Sequence, residues 1–158
     1  IEPPIPDVQY ATGADWARSK DWTIITTFRA DTRPKRCVAW ERTGRLDWPV
    51  MIGRYTERRK RYPGSGLHDG TGLGDVVASY AGEDGFIMSG QARADLLSEY
   101  IAAIERRELV YPFIRWCYNE HKYASREDIN AGGSVHHLPD SICAGALGWR
   151  AQGKWSIY

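Results

Sequence analysis

The sequence predicts a mixed α/β fold: a β-sheet that opens as an antiparallel three-stranded meander, continues with parallel strands, and carries helices on both faces. Three features point there. β-Branched and aromatic runs crowd the first 42 residues with turn residues between them, short apolar runs then alternate with segments of helical period, and no repeat or low-complexity tract breaks the pattern. At 158 residues, 42% of them hydrophobic, the chain fits one domain with its own core.

Residues 8–15 (VQYATGAD) and 22–28 (WTIITTF) flank the polar ARSKD and read as antiparallel strands, which leaves Asp15 at the end of the first. Residues 36–42 (RCVAWER) follow the turn DTRP as the third strand of the meander. Asp47 N-caps a helix that runs to about Tyr62, where Pro63 and Gly64 stop it. Residues 67–69 read as a short strand and 75–80 as a short helix with Val76, Val77 and Tyr80 on its apolar side, so LHDGTGLGD is a strand-to-helix loop. A brief strand at 86–88 precedes the clearest helix, 91–108, with Leu97, Tyr100, Ile101 and Ile104 on one face. A short strand at 109–113, a helix over 114–123, a loop over 125–135 and a last helix over 139–151 complete the chain. Pro139 suits the first turn of that helix, where its missing N–H does no harm.

The 21 Lys and Arg nearly cancel the 20 Asp and Glu, so affinity for an anionic polymer must come from local patches. Cys37, Cys117 and Cys143 are odd in number and lack any CxxC pairing, which reads as core thiols in a reducing compartment and excludes a disulfide framework or zinc cage. No apolar run approaches the roughly 20 residues that span a bilayer, and no signal-peptide layout opens the chain, so a soluble cytoplasmic protein is expected. The start at Ile1, with Pro3, Pro4 and Pro6, makes residues 1–7 read as a linker remnant ahead of a domain over residues 8–158.

The glycines of LHDGTGLGD are not a phosphate loop, because Gly74 is followed by Asp75 where a P-loop has lysine. Nor are they a dinucleotide fingerprint, whose third glycine would again fall on Asp75. The loop either presents Asp69 at a strand's C-terminal end, where open α/β sheets place ligands, or uses Asp69 and Thr71 to stabilise a turn. Asp15 ends the first strand and Asp140 opens the last helix, and each alone equally suits a turn or a helix start. Together, three acids that the topology can bring to one sheet edge would repel unless a cation neutralises them, which points to a divalent metal; Mg²⁺ or Mn²⁺ suits an all-oxygen site.

In order and spacing, GADWARSKDWTIITTF, LHDGTGLGDVV and HHLPDSICAGALGWR resemble the C-terminal nuclease domain of phage terminase large subunits, members of the RNase H-like (retroviral integrase) superfamily, over about residues 8–152. The resemblance matches Asp15 and Asp21 to the family's first motif, Asp69 with Gly72 and Gly74 to the second, and Asp140 to the third, where Pro139 stands in place of the first of two acids. It implies an RNase H-like sheet and a metal-dependent endonuclease that cuts concatemeric viral double-stranded DNA in the host cell cytoplasm. In the full-length protein an N-terminal ATPase domain, small terminase and portal would be its partners. It further implies two ions, Mg²⁺ or Mn²⁺, with Asp15 bridging them and Asp69 and Asp140 each completing one shell. Asp21 would be a weaker ligand or hold a water, His136 and His137 would position water or donate to the phosphate unless they are surface histidines, and Asp75 would cap a helix.

Cations for the DNA backbone are sought first in RYTERRKRY, where Arg54, Arg58 and Arg61 recur at helical spacing, although such a run equally suits a solvated helix face. Arg18 and Lys20 lie in the turn beside Asp15, and Lys122 and Arg126 lie before the 125–135 loop. The seven Trp are expected mostly in the core. A junction resolvase and a catalytically inactive nucleic-acid-binding module of the same fold remain as other readings, the latter favoured by Pro139.

Overall fold

The computed structural model describes residues 1–17, 22–71, 77, 79, 85–130 and 136–153. Five strands, β1 (Tyr10–Asp15), β2 (Thr23–Arg29), β3 (Lys35–Thr43), β4 (Gly64–His68) and β5 (Leu109–Val110), form one sheet in the order β4-β1-β2-β3-β5. The meander β1-β2-β3 is antiparallel, and β4 and β5 add parallel strands at its two edges. Among the described residues the continuous helices are α1 (Trp48–Arg61), α2 (Gly90–Glu105), α3 (Arg115–Tyr123), α4 (Arg126–Asn130) and α5 (Asp140–Gln152).

The two faces follow from strand alternation. On one face Ala11 of β1 and Leu67 of β4 pack with Leu96, Leu97 and Tyr100 of α2 and with Ile142, Ala146 and Leu147 of α5. On the other, Ala14 and Ile25 pack with Met51, Ile52 and Tyr55 of α1 and with Trp16. Helices thus cover both faces, as expected. Helix α5 lies directly on β1 because its sequence DSICAGALGWR is rich in small residues: a Cβ on Gly13 would sit inside van der Waals distance of the Ala144 carbonyl and 2.8 Å from the Gly148 Cα. Backbone meets backbone there, which only side chains of this size allow.

Several boundaries differ from expectation. β4 begins at Gly64, because that stretch pairs in parallel with β1 from Tyr10 onward. The strand expected at 86–88 is a single parallel bridge between Asp69 and Phe86. Helix α2 ends at Glu105 because Arg107 takes φ 57°, letting Glu108 N bond Ala103 O (2.9 Å) and Arg107 N bond Ile104 O (3.0 Å), a left-handed cap made without glycine. Pro139 is the N-cap of α5 rather than part of its first turn. The short helix expected at 75–80 lies largely outside the described residues, within which Val77 is buried and helical. Within the exposed segment 1–7, Glu2 is tied down: its N bonds Val38 O (2.8 Å), and Tyr62 donates its hydroxyl to Glu2 O (2.5 Å).

The expected loop at 125–135 contains α4. Ser125 and Asp128 cap it reciprocally: the Ser125 N–H and hydroxyl both donate to Asp128 Oδ2 (2.9 and 2.7 Å), and Asp128 N donates to Ser125 Oγ (3.1 Å). First the Ser125 backbone N–H, then its hydroxyl and the His136 ring, hold the Asp128 carboxyl down to about 2. A carboxyl depressed in the fold contributes stability that is fully present above its unfolded value near about 4 and is lost as pH falls toward 2. Ser125→Ala is expected to cost roughly 1 kcal/mol, or about 2–4 °C in Tm, at neutral pH, with a smaller deficit in the acid limb of a thermal-melt series.

Candidate metal centre

Period-2 alternation along β1 puts Asp15 on the same face as Ala11 and Gly13, the one that α5 covers. Parallel pairing of Ala14 with His68 continues through the bond from Asp69 N to Ala14 O (2.9 Å), so Asp69 stands beside Asp15 at the C-terminal ends of neighbouring strands. Alternation in β4 turns His68 toward the opposite face, where the Trp16 indole donates to its Nδ1 (3.4 Å), and Asp69 toward α5. Asp140 is the first residue of α5 and accepts the Trp22 N–H at Oδ2 (3.0 Å). Three distant segments thereby deliver their acids to one end of the sheet.

The acids act on one another. Burial first, then the negative charge of Asp140, then that of Asp69, push the Asp15 carboxyl well above the usual carboxylate range; a hydrogen bond from the Cys143 thiol and one from Trp16 N–H (3.0 Å to Oδ1) offset this in part. Cys143 lies one turn into α5 and is pushed up as well, by burial first and then by Asp15 and Asp69, so it remains a neutral thiol that donates to Asp15. Asp69 is buried and accepts Thr71 N–H at Oδ1 (2.8 Å). Among the described residues no group of three or more His, Cys, Asp or Glu side chains is drawn close enough together to hold a metal ion; the cluster is one of electrostatic coupling, each carboxylate turned to a backbone N–H.

The donor set nevertheless suits a hard divalent cation. Its members are carboxylate oxygens, the strongest charges on Asp15 are both negative, and the one thiol present is protonated and so no ligand for a soft metal. Neither Cys143 nor Glu120 was anticipated at the site. Glu120, from α3, accepts Ser141 N–H at Oε2 (2.8 Å) and so holds the helix turn that carries Asp140. Only the packing of α3 against α5 reveals that role; Cys143 was foreseen as a core thiol, and the i+3 spacing from Asp140 was the one available signal.

The other expected site residues separate into three groups. Arg18, Lys20, Asp21, Gly72, Gly74 and Asp75 lie outside the described residues. Lys122 and Arg126 are exposed, Lys122 between the rings of Tyr118 and Tyr123 (5.3 and 5.2 Å), and Arg61 is exposed over Tyr62. Of the arginines expected to contact DNA, Arg58 is buried with its Nη2 2.9 Å from Glu41 Oε2 of β3, and Arg54, with its side chain 46% exposed, pairs with Oε1 of the same carboxylate. Helical spacing aims these arginines at the sheet, where a carboxylate on the neighbouring strand meets them. His136 is paired with Asp128 (3.0 Å), which ties it to α4, while His137 is exposed. Trp16 is buried as foreseen, but Trp22 and Trp116 are 40% and 56% exposed.

No protein-family model and no curated protein matches the chain. Solved structures do. The large terminase nuclease from thermophilic phage G20c superposes with a TM-score of 0.77 at 21% identity, over 95% of this chain and 86% of that one. Its form with bound magnesium gives 0.79 at 20% identity, over 95% and 85%. The Thermus phage P74-26 large terminase nuclease domain gives 0.72 at 18% identity, over 94% and 82%. The chain has the fold of these proteins, an RNase H-like mixed sheet flanked by helices.

Proposed function

We propose that this chain is the nuclease domain of a viral DNA-packaging terminase, a metal-dependent endonuclease that hydrolyses phosphodiester bonds of concatemeric double-stranded DNA in the host cytoplasm. The observation that carries the reading is the placement of Asp15 and Asp69 at the ends of neighbouring strands, with Asp140 at the start of the helix packed on them, at one end of a sheet with the terminase nuclease fold. A longer protein with an N-terminal ATPase domain, acting with small terminase and portal, fits the same reading.

Asp15, Asp69 and Asp140 would hold the ions, two of Mg²⁺ or Mn²⁺, with Asp21 as a further ligand. Bound there, such ions lower the pKa of an attacking water and stabilise charge on the leaving 3′ oxygen. The chain's own part is to keep the carboxylates oriented. Trp16 N–H, Thr71 N–H and Trp22 N–H each hold one carboxylate oxygen, of Asp15, Asp69 and Asp140 respectively, and so set the orientation of each carboxylate. Cys143, too strongly protonated to ionise, donates to Asp15 and cannot compete as a nucleophile. Glu120 keeps the first turn of α5 in place.

Nicking of supercoiled plasmid with Mg²⁺ or Mn²⁺ tests the reading. Asp69→Asn and Asp140→Asn are each expected to lower the rate by roughly 10³-fold, since each removes a ligand charge worth several kcal/mol in the transition state. Wild type no faster than both variants would leave a catalytically inactive binding module, and cutting of four-way junctions in preference to linear duplex would make it a resolvase.

A further inference from the structure

We infer, on the reading that the acidic cluster cuts DNA, that Arg42 is a backbone-phosphate contact for the strand beside that cluster, its guanidinium held ready between Trp22 and Trp116. Arg42 projects from β3 with its Cζ 3.6 Å from the Trp22 ring centre and 4.3 Å from that of Trp116. Arg29, Arg36, Arg54, Arg58 and Arg150 all rest on carboxylates, whereas among the described residues Arg42 has no ion pair and no hydrogen bond, and its Nε is buried without a partner. A half-buried cation sheathed by two indoles and lacking an anion is a costly arrangement that an incoming anion relieves.

Geometry names the anion. A guanidinium donates only within its plane, the fork that matches two oxygens of one phosphate, and two indole rings at 3.6 and 4.3 Å from Cζ restrict how that fork can turn. The stack adjoins the cluster through covalent neighbours: Trp22 donates its own N–H to Asp140 (3.0 Å), and Trp116 lies one turn before Glu120, which holds Ser141 N (2.8 Å). A strand whose scissile phosphate reaches Asp140 therefore brings a nearby phosphate to Arg42. A net charge of +1 gives no general attraction to DNA, so single preorganised cations of this kind must supply it.

The test is equilibrium binding of a short fluorescein-labelled duplex in EDTA, where nothing is cut, across a series of salt concentrations. Arg42→Gln is expected to weaken binding about tenfold at low salt and to flatten the slope of log K against log salt by about 0.9, the signature of one lost phosphate contact. Arg42→Lys keeps the slope but loses several-fold in affinity, since an ammonium cannot use the stacked fork; Trp116→Leu weakens binding with the slope unchanged. A stack that merely pins α3 to the sheet would lower the melting temperature in Arg42→Gln and leave the slope as in wild type, and that result overturns the inference even if nicking is intact. Wild type that shows the Arg42-dependent slope yet never nicks would overturn the nuclease reading and leave the phosphate contact standing.

Discussion

Asp15→Asn removes metal-dependent nicking, by roughly 10³-fold or more, and at the same time raises the melting temperature of the chelator-treated protein at pH 8. Both effects have one cause. Asp15 sits under α5 with the charges of Asp140 and Asp69 against it, and its carboxyl titrates well above the usual range. A carboxyl whose pKa is raised on folding binds its proton more tightly in the native state, so it favours the fold at acid pH, and that advantage disappears as pH climbs through the raised value. Above it the ionised Asp15 repels its two neighbours in the metal-free protein. Asparagine keeps the shape and abolishes the charge, so the variant should melt higher than wild type at pH 8 and lose this advantage toward acid pH. Adding Mn²⁺ should reverse the order by stabilising wild type alone, because only the ionised cluster gains from a cation. Thermal melts of both proteins at two pH values, with and without Mn²⁺, check it; a metal-free Asp15→Asn that melts below wild type at pH 8 would show that the acids do not strain one another.

Gly13→Ala should be strongly destabilising, costing roughly 3 kcal/mol, or about 6–12 °C in Tm. The added Cβ would press on the Ala144 carbonyl and the Gly148 amide, and neither β1 nor α5 can yield without moving the other. The shift would also carry Asp140 away from Asp15, so activity should fall further than stability accounts for. Gly53→Ala provides the control. Nothing lies within 4 Å of a Cβ there, and the position is inside α1, so alanine should raise stability by roughly 0.5–1 kcal/mol through helix propensity. Differential scanning calorimetry on the two variants would overturn the packing account if they proved equivalent.

Much of this architecture is legible in one dimension. Strand alternation in VQYATGAD and WTIITTF sets the meander, and the same alternation, carried from Gly13 to Asp15, assigns the carboxylate to the face that receives the small-residue helix DSICAGALGWR. Asp69 and Asp140 stand out because one follows a strand and the other opens a helix, positions marked by local residue choice. Local signals also misled where they lacked their usual form: α2 ends on Arg107 in the left-handed region instead of on a glycine, and the capping pair Ser125 and Asp128 stood unrecognised in a segment taken for loop.

Side-chain partnerships belong to the other category. Nothing near Arg58 in the chain announces that Glu41 waits on β3, and nothing near Arg42 announces that indoles from residue 22 and residue 116 will close on it. Equally, Cys143 becomes a donor to Asp15 only when α5 settles on β1. Periodicity and turn chemistry are short-range and additive along the backbone, so the amino-acid order fixes where elements run and which face each residue takes. Which charge is neutralised, which is left without an anion, and whether a carboxyl is strained by its neighbours depend on the register of parallel pairing and on how closely helices approach the sheet. Those quantities arise only when segments more than a hundred residues apart, such as Trp22 and Asp140, are brought to 3.0 Å.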